Sequence, residues 1–125
     1  LPRSELARLM QIDYAREMAF IAERTRADGK RETIGAVRAV ADPNNIDAEF
    51  AIIVRSDVKR GGLGRLLLDK IMRYARGRGL TRLVGTVLRE NRGMLELTRH
   101  CGFSIDATKP DESGVINLVL PLGNS

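Results

Sequence analysis

The sequence predicts a single domain of mixed α/β architecture. The chain has 125 residues, the usual size of one domain, and its 43% hydrophobic and 30% charged residues are ordinary for a globular protein. Its first half holds short apolar runs separated by turn residues, which is typical of antiparallel strands. Its second half alternates apolar runs with helical patterns, which permits parallel pairing across helical connections.

The first half predicts one short helix followed by three strands. The helix covers 4–10, with Ser4 as its N-cap. Asp28-Gly29 predicts a hairpin turn between the first two strands, and the breaker sequence 42–45 ends the second strand. The three strands cover 18–22, 33–40 and 48–54.

The second half predicts two helices and three further strands. The first helix covers 63–78, carries one apolar stripe, and is ended by Gly77 and Gly79. Asn91 is the expected N-cap of a second helix over 92–101. The strands cover 83–88, 103–105 and 115–120.

Composition limits the classes of partner. The 21 Lys and Arg residues against 16 Asp and Glu give a net charge of +5, which favours acidic partners without choosing among them. With 4% aromatic residues, no tryptophan and no Cys/His finger pattern, we expect no nucleic-acid binding. A single cysteine excludes an internal disulfide and fits a reducing, cytoplasmic compartment. Neither a membrane-spanning run nor an export signal is present, so we expect no membrane association.

The most informative segment is the glycine-rich loop between the strand at 48–54 and the helix that follows. Gly61, Gly62 and Gly64 let the backbone pass close to a ligand, and the helix start offers free N–H groups. Lys59, Arg60 and Arg65 add positive charge. Two interpretations remain open, an anion-binding site or a solvated basic turn. The glycine spacing fits neither a nucleoside-triphosphate loop nor a dinucleotide fingerprint.

Glu49 is the one carboxylate within the apolar run 48–54. On a strand its side chain shares a face with those of Ala51 and Ile53. It lies either at an edge that faces water or in a partly dry cleft, where a carboxylate becomes a usable base. Periodicity leaves both positions open.

Cys101 and His100 are candidates for chemistry that we set aside. Cys101 lies at the predicted C-terminal end of a helix, where the helix dipole disfavours a thiolate, so we expect a small core residue rather than a covalent nucleophile. His100 is expected at the surface near the same end. The two residues do not make a zinc site, and we expect no metal.

Two motifs resemble those of the GNAT N-acetyltransferases. Residues 59–65 resemble the family's acetyl-CoA motif, written Gln/Arg-x-x-Gly-x-Gly/Ala, with Lys59 as a departure at its first position. Asn91, followed after a helix by Gly102-Phe103, resembles the family's second cofactor motif. Segments 11–20 and 48–57 carry a narrower resemblance to the Pat-type bacterial protein lysine acetyltransferases.

The resemblance implies a mixed, mostly antiparallel sheet flanked by helices and splayed near the cofactor. It also implies that the family's first strand and helix are missing from the start of this sequence. We therefore expect residues 1–125 to be one GNAT domain excised from a longer multidomain protein, since Pat-type domains are often fused to a domain similar to acyl-CoA synthetases.

The resemblance further implies acetyl-CoA as the acetyl donor and Glu49 as the general base for an attacking amine. Two strand residues would pair through their backbones with the pantetheine arm, the loop amides would bind the pyrophosphate, and an asparagine would contact the coenzyme. The implied coenzyme-binding residues are Ile53, Val54, Lys59, Arg60, Gly61, Gly62, Leu63, Gly64, Arg65 and Asn91.

One position departs from the family pattern. Many members carry a tyrosine seven residues after the asparagine, which protonates the leaving thiolate, and this sequence has Thr98 there. Either water or another group serves, or the thiolate leaves unassisted. The favoured function is acetyl transfer to a protein lysine, with an acyl-CoA synthetase as the acceptor by resemblance. The alternatives are a small amine or protein N-terminus as acceptor, and a non-catalytic domain that senses acetyl-CoA.

Overall fold

A computed structural model describes residues 8–58 and 62–123, and residues 1–7, 59–61, 124 and 125 lie outside the described residues. Within those ranges the chain forms strands, two helices and a short 3-10 helix, Ser56–Val58. The helices are α1 (Leu63–Gly77) and α2 (Arg92–His100). The strands are β1 (Arg8–Tyr14), β2 (Glu17–Thr25), β3 (Arg31–Ala41), β4 (Asp47–Val54), β5 (Arg82–Leu88), β6 (Ser104–Ile105) and β7 (Val115–Pro121).

The strands form one mixed sheet in the order β1-β2-β3-β4-β5-β7-β6. Short turns join β2, β3 and β4 into the predicted antiparallel meander, and β1 adds a fourth strand that the sequence did not predict. α1 is the crossover that lets β5 run parallel to β4. β7 then pairs antiparallel with both β5 and β6. The predicted mixed, mostly antiparallel sheet is confirmed.

The predicted helix over 4–10 is wrong for residues 8–10, and the rest of that segment lies outside the described residues. Residues 8–10 begin β1, which pairs with β2 from Arg8 opposite Glu23 to Tyr14 opposite Glu17. A strand next to a tight turn gains backbone hydrogen bonds along the whole edge that faces its neighbour. That gain exceeds the few tenths of a kcal/mol by which helix propensity separates such residues.

The core lies between one face of the sheet and α1. Leu63, Leu67 and Ile71, which begin the predicted apolar stripe, are buried in that layer. α2 packs beside α1, and Phe103 just after it stacks at 5.0 Å on Phe50 of β4. Among the described residues, no helix is both long and apolar enough to cross a membrane.

Side chains of β4 alternate between the two faces of the sheet. Ala48 and Phe50 are buried on the core side, whereas Glu49, Ala51 and Ile53 are exposed on the opposite face. The alternation predicted from the sequence is therefore confirmed, and it places Glu49 on a face that the helices leave open.

Candidate functional site

The central feature of the sheet is a gap between β4 and β5. The two strands pair only from Asp47 opposite Arg82 to Glu49 opposite Val84, and they separate beyond that point. Gly85 lies where they part. A Cβ there would lie 2.5 Å from the Phe50 ring and 2.8 Å from the Phe50 carbonyl oxygen. The ring of Phe50 thus packs against bare main chain at the closed end of the gap.

The edge of β4 along the gap exposes backbone hydrogen-bonding groups. The Arg55 N–H donates to the Ile34 carbonyl oxygen at 2.9 Å, which fixes the alternation of the β3–β4 ladder. By that alternation, the backbone groups of Ile53 point toward β3, and those of Ile52 and Val54 point into the gap. In the part of the chain that the structure describes, neither Ile52 nor Val54 has a strand partner on this side. Such an edge binds extended chains.

The structure thus places the two predicted backbone contacts differently. Val54 faces the gap, as expected. The N–H and C=O of Ile53 are used by Ala36 of β3, and the Ile53 side chain is 69% exposed on the open face. Ile52 is the residue that sequence reasoning missed. Strand periodicity predicts that the backbone groups of alternate residues point to opposite edges of β4. Only the pairing with β3 decides which of these residues direct their N–H and C=O groups into the gap.

The open end of the gap leads to the start of α1. Its N-cap, Gly62, has φ 87° and no side chain to accept the first helical N–H groups. Leu63, Gly64 and Arg65 form the first turn, which contains no acidic residue and exposes the Arg65 side chain. An uncapped, positively charged helix start suits an anion. The predicted loop residues Lys59, Arg60 and Gly61 lie outside the described residues.

A closed network of four charged side chains lies just before this loop. Arg24 of β2 contacts Glu32 of β3 and Asp57 of the 3-10 helix, each at 2.7 Å. Arg55 contacts the same two carboxylates, Glu32 at 2.8 Å and Asp57 at 3.1 Å. This four-charge network ties the segment leading into the loop to the β2–β3 hairpin. Sequence reasoning missed it because Arg24 and Asp57 are 33 positions apart.

Glu49 lies at the closed end of the gap, beside an open cleft of about 480 Å³. The cleft walls carry further charges, of which Arg38 pairs with Glu17 at 3.6 Å and Asp47 with Arg82 at 2.9 Å. The Glu49 side chain has no hydrogen-bond or ion-pair partner within residues 8–58 and 62–123. It is exposed and lines the cleft, so the carboxylate meets both water and any molecule bound there.

Asn91 and Thr98 occupy α2. The Asn91 side-chain oxygen accepts a hydrogen bond from the Met94 N–H at 3.1 Å, which confirms the predicted N-cap. Asn91 follows β5 at the same sheet edge where the loop follows β4, because those strands are parallel. Thr98 is fully buried, and its hydroxyl donates to the Met94 carbonyl at 2.9 Å. That hydroxyl faces its own helix and is no proton donor for the gap.

Cys101 and His100 stand apart from this chemistry. Cys101 is half-buried, and burial raises the pKa of its thiol, which favours the neutral form. His100 is exposed, with Nε2 2.8 Å from a Glu96 carboxylate oxygen. Among the described residues, no group of three or more His, Cys, Asp or Glu could hold a metal ion.

Comparison with known proteins gives matches over most of the chain. The family model "Acetyltransferase (GNAT) family" matches residues 2–103. The acetyltransferase PA5475 of Pseudomonas aeruginosa is 31% identical over 108 residues, which are 86% of this chain and 57% of that protein. The chain therefore spans little more than half the length of this curated relative.

Solved structures show the same fold. The GNAT domain of S. lividans PAT matches with a TM-score of 0.70 and 25% identity, over 88% of this chain and 63% of that one. An acetyltransferase of GNAT family from Streptococcus pneumoniae matches with a TM-score of 0.70 and 23% identity, over 89% of this chain and 70% of that one.

Proposed function

The chain belongs to the GNAT acetyltransferase family, and from that premise we propose that it moves the acetyl group of acetyl-CoA to the ε-amine of a protein lysine. The observation that carries the proposal is the gap between β4 and β5. One end of this gap meets an uncapped helix start, and the other end meets the unpartnered carboxylate of Glu49. The gap would therefore bind an anion at one end and hold the base for proton abstraction at the other.

The gap suits an extended thioester ligand. Glu49 and Val54 are five residues apart on β4, about 17 Å at the usual rise of a strand. The free backbone groups of Ile52 and Val54 would pair with the amide groups of the pantetheine arm, as an added strand does. The first turn of α1, from Gly62 to Arg65, would bind the diphosphate. By their place in the sequence, Lys59, Arg60 and Gly61 would extend that site, and Asn91 would contact the coenzyme from α2.

Chemistry at the closed end requires a base. A lysine ammonium, with a pKa near 10.4, cannot attack a thioester until it loses a proton. Glu49 would accept that proton directly or through a water molecule. The amine nitrogen then bonds to the carbonyl carbon, a backbone N–H stabilises the oxyanion, and the C–S bond breaks. Since Thr98 is turned into its helix, the thiolate leaves unassisted, and its conjugate thiol is about as acidic as cysteine (pKa about 8.5).

The acceptor cleft supports a protein lysine as substrate. The cleft is shallow and open to solvent, so a side chain projecting from a folded surface can enter it. Its walls carry three carboxylates, Asp42, Asp47 and Glu49, against the two cations Arg38 and Lys109, and this excess of negative charge favours a cationic group. The match to the GNAT domain of S. lividans PAT supports the Pat-type resemblance on which this acceptor class is proposed. An acyl-CoA synthetase with a reactive lysine is the first acceptor to test.

The test offers labelled acetyl-CoA and three acceptors in parallel: an acyl-CoA synthetase, a polyamine and a peptide with a free N-terminus. We expect label on a lysine of the synthetase, lost when that lysine is replaced by arginine. Preferential labelling of the polyamine or the peptide would overturn the lysine proposal. Coenzyme binding measured by calorimetry without transfer to any acceptor would favour a sensing domain instead.

A further inference from the structure

We propose that Lys109 is a self-acetylation site, modified within the same molecule by the centre that contains Glu49. The inference rests on the proposed function, because it uses the same donor and the same base. It adds a modification site on a loop that the proposed reaction does not otherwise use.

Lys109 shares two adjoining cavities with Glu49. It lines the open cleft of about 480 Å³, together with Glu49 and Val84. It also lines a second cavity of about 110 Å³, again with Glu49 and Val84. Glu49 and Val84 form the last pair before the strands separate, so Lys109 flanks the closed end of the gap.

The other lysines of the chain are placed differently. The sequence contains Lys30, Lys59, Lys70 and Lys109. Lys30 follows the turn of the β2–β3 hairpin, and Lys70 lies in the middle of α1. Neither lines the two cavities that contain Glu49, and Lys59 lies outside the described residues. Lys109 is thus the lysine that the described residues place beside the base.

A structured turn holds the backbone of Lys109 in this position. The Asp106 N–H donates to the Asn117 carbonyl at 2.8 Å. The Asp106 carboxylate accepts hydrogen bonds from the Thr108 hydroxyl at 2.6 Å and the Thr108 N–H at 3.0 Å. The Lys109 N–H donates to the Asp106 carbonyl at 3.3 Å. The Lys109 ammonium, by contrast, is exposed and has no ion-pair partner among the described residues.

The reaction is the proposed transfer with an internal amine. The Lys109 ammonium gives a proton to Glu49, and Nζ bonds to the thioester carbonyl carbon. The nitrogen releases its second proton to water as the C–S bond breaks, and the coenzyme thiolate takes up a proton from water, leaving an ε-acetyl-lysine and free coenzyme A. A tethered amine meets the thioester at a far higher effective concentration than a free acceptor does. The product replaces a cation at the mouth of the acceptor cleft with a neutral amide.

The test is a time course with the full chain and acetyl-CoA in the absence of any acceptor. After digestion with trypsin, the peptide that begins at His100 contains Lys109 as its one lysine, since Pro110 protects the following bond. We expect this peptide to be acetylated about tenfold or more faster than the peptides of Lys30 and Lys70, as proximity requires. The rate constant should not depend on protein concentration. Glu49→Gln should slow this reaction without slowing that of Lys30.

Lys109→Arg is the matched control, because it keeps the charge and removes the acceptor amine. It should leave the acetylation rates of Lys30 and Lys70 unchanged. If all these lysines react at one rate that Glu49→Gln does not alter, the acetylation is non-enzymatic and the inference fails. A rate constant that rises with protein concentration would also overturn it. An unmodified Lys109 alongside transfer to an external amine overturns the inference alone, whereas absence of both coenzyme binding and all transfer overturns the proposed function with it.

Discussion

The charged side chains at the two ends of the β4–β5 gap differ in whether they form ion pairs. The open end, where the coenzyme is proposed to bind, is called the coenzyme end below. Beside it a closed network joins Arg24, Arg55, Glu32 and Asp57, and every charge in this network has two partners. The closed end, where the acceptor amine is proposed to bind, is called the acceptor end below. There the Glu49 side chain has no ion-pair or hydrogen-bond partner among residues 8–58 and 62–123. Paired charges hold a segment in place, whereas an unpaired carboxylate can contact a molecule that is bound in the cleft.

The pKa values of the paired carboxylates follow from this arrangement. The side-chain hydrogen bond from Arg24 holds the pKa of Glu32 below its ordinary value, although burial acts in the opposite direction. The same hydrogen bond lowers the pKa of Asp57. Both groups therefore stay ionised and are poor bases.

The strongest test of this contrast is Glu49→Gln at the acceptor end. Loss of the base should lower kcat by about 10²–10⁴-fold, the usual contribution of a general base. Coenzyme affinity should stay unchanged, because the free backbone groups and the helix start lie elsewhere along the gap. Steady-state kinetics and calorimetry with coenzyme A measure the two quantities separately.

Glu112→Gln is the matched control for this variant. Glu112 is an exposed carboxylate that lines neither cavity beside Glu49 and has no ion pair among the described side chains. If the two variants retain equal activity, Glu49 is not the base.

The second test addresses the closed end of the gap, where Gly85 packs against Phe50 as the two strands separate. Gly85→Ala would place a Cβ 2.8 Å from the Phe50 backbone oxygen and closer still to its ring. We expect the free energy of unfolding to fall by about 1–3 kcal/mol, as overpacking a core does. Chemical denaturation measures the change. Gly77→Ala, where an added Cβ meets nothing within 4 Å, is the control and should not destabilise.

The third test weakens the coenzyme end through Asp57→Asn. The segment entering the loop loses one carboxylate of the four-charge network, so the KM for acetyl-CoA should rise about twofold to fivefold while kcat is unchanged. Asp111→Asn, which removes an exposed ion pair with Arg89, is the control. A fall in kcat with unchanged KM would contradict a positioning role.

The same variant has a pH signature. Because folding lowers the pKa of Glu32 and of Asp57, their stabilisation is present above their unfolded pKa values and is lost as the pH falls through the folded ones. The difference in melting temperature between the parent chain and Asp57→Asn should therefore shrink on acidification below about pH 4. A difference that stays constant would exclude the ion pairs as its cause.

The smallest expected effect belongs to Thr98→Val. The Thr98 hydroxyl already donates to the Met94 carbonyl inside α2, and valine keeps the shape of the side chain. We expect kcat to stay unchanged across the pH range of activity. A large fall in kcat at high pH would contradict this expectation, and loss of a proton donor would not be its cause, because the thiolate needs no acid there. A fall at low pH would identify Thr98 as a proton donor after all.

Local patterns determined much of this protein without any tertiary information. Asp28-Gly29 turns the chain between β2 and β3, Asn91 caps α2, and one apolar stripe buries α1. Each of these depends on hydrogen bonds or packing within a few residues, which the sequence specifies directly. The alternation of β4 follows in the same way, and it predicted that Glu49 shares a face with Ala51 and Ile53.

Only the tertiary structure decided which groups meet. The pairing with β2 made residues 8–10 a strand, and the register with β3 turned the backbone of Ile52, rather than that of Ile53, toward the gap. Lys109 joins Glu49 because β7 lies between β5 and β6, which brings the segment that precedes β7 close to β5 and the β4–β5 gap. Such contacts depend on competition between distant segments for one sheet. The short-range periodicity of a sequence does not show which of these distant segments pair.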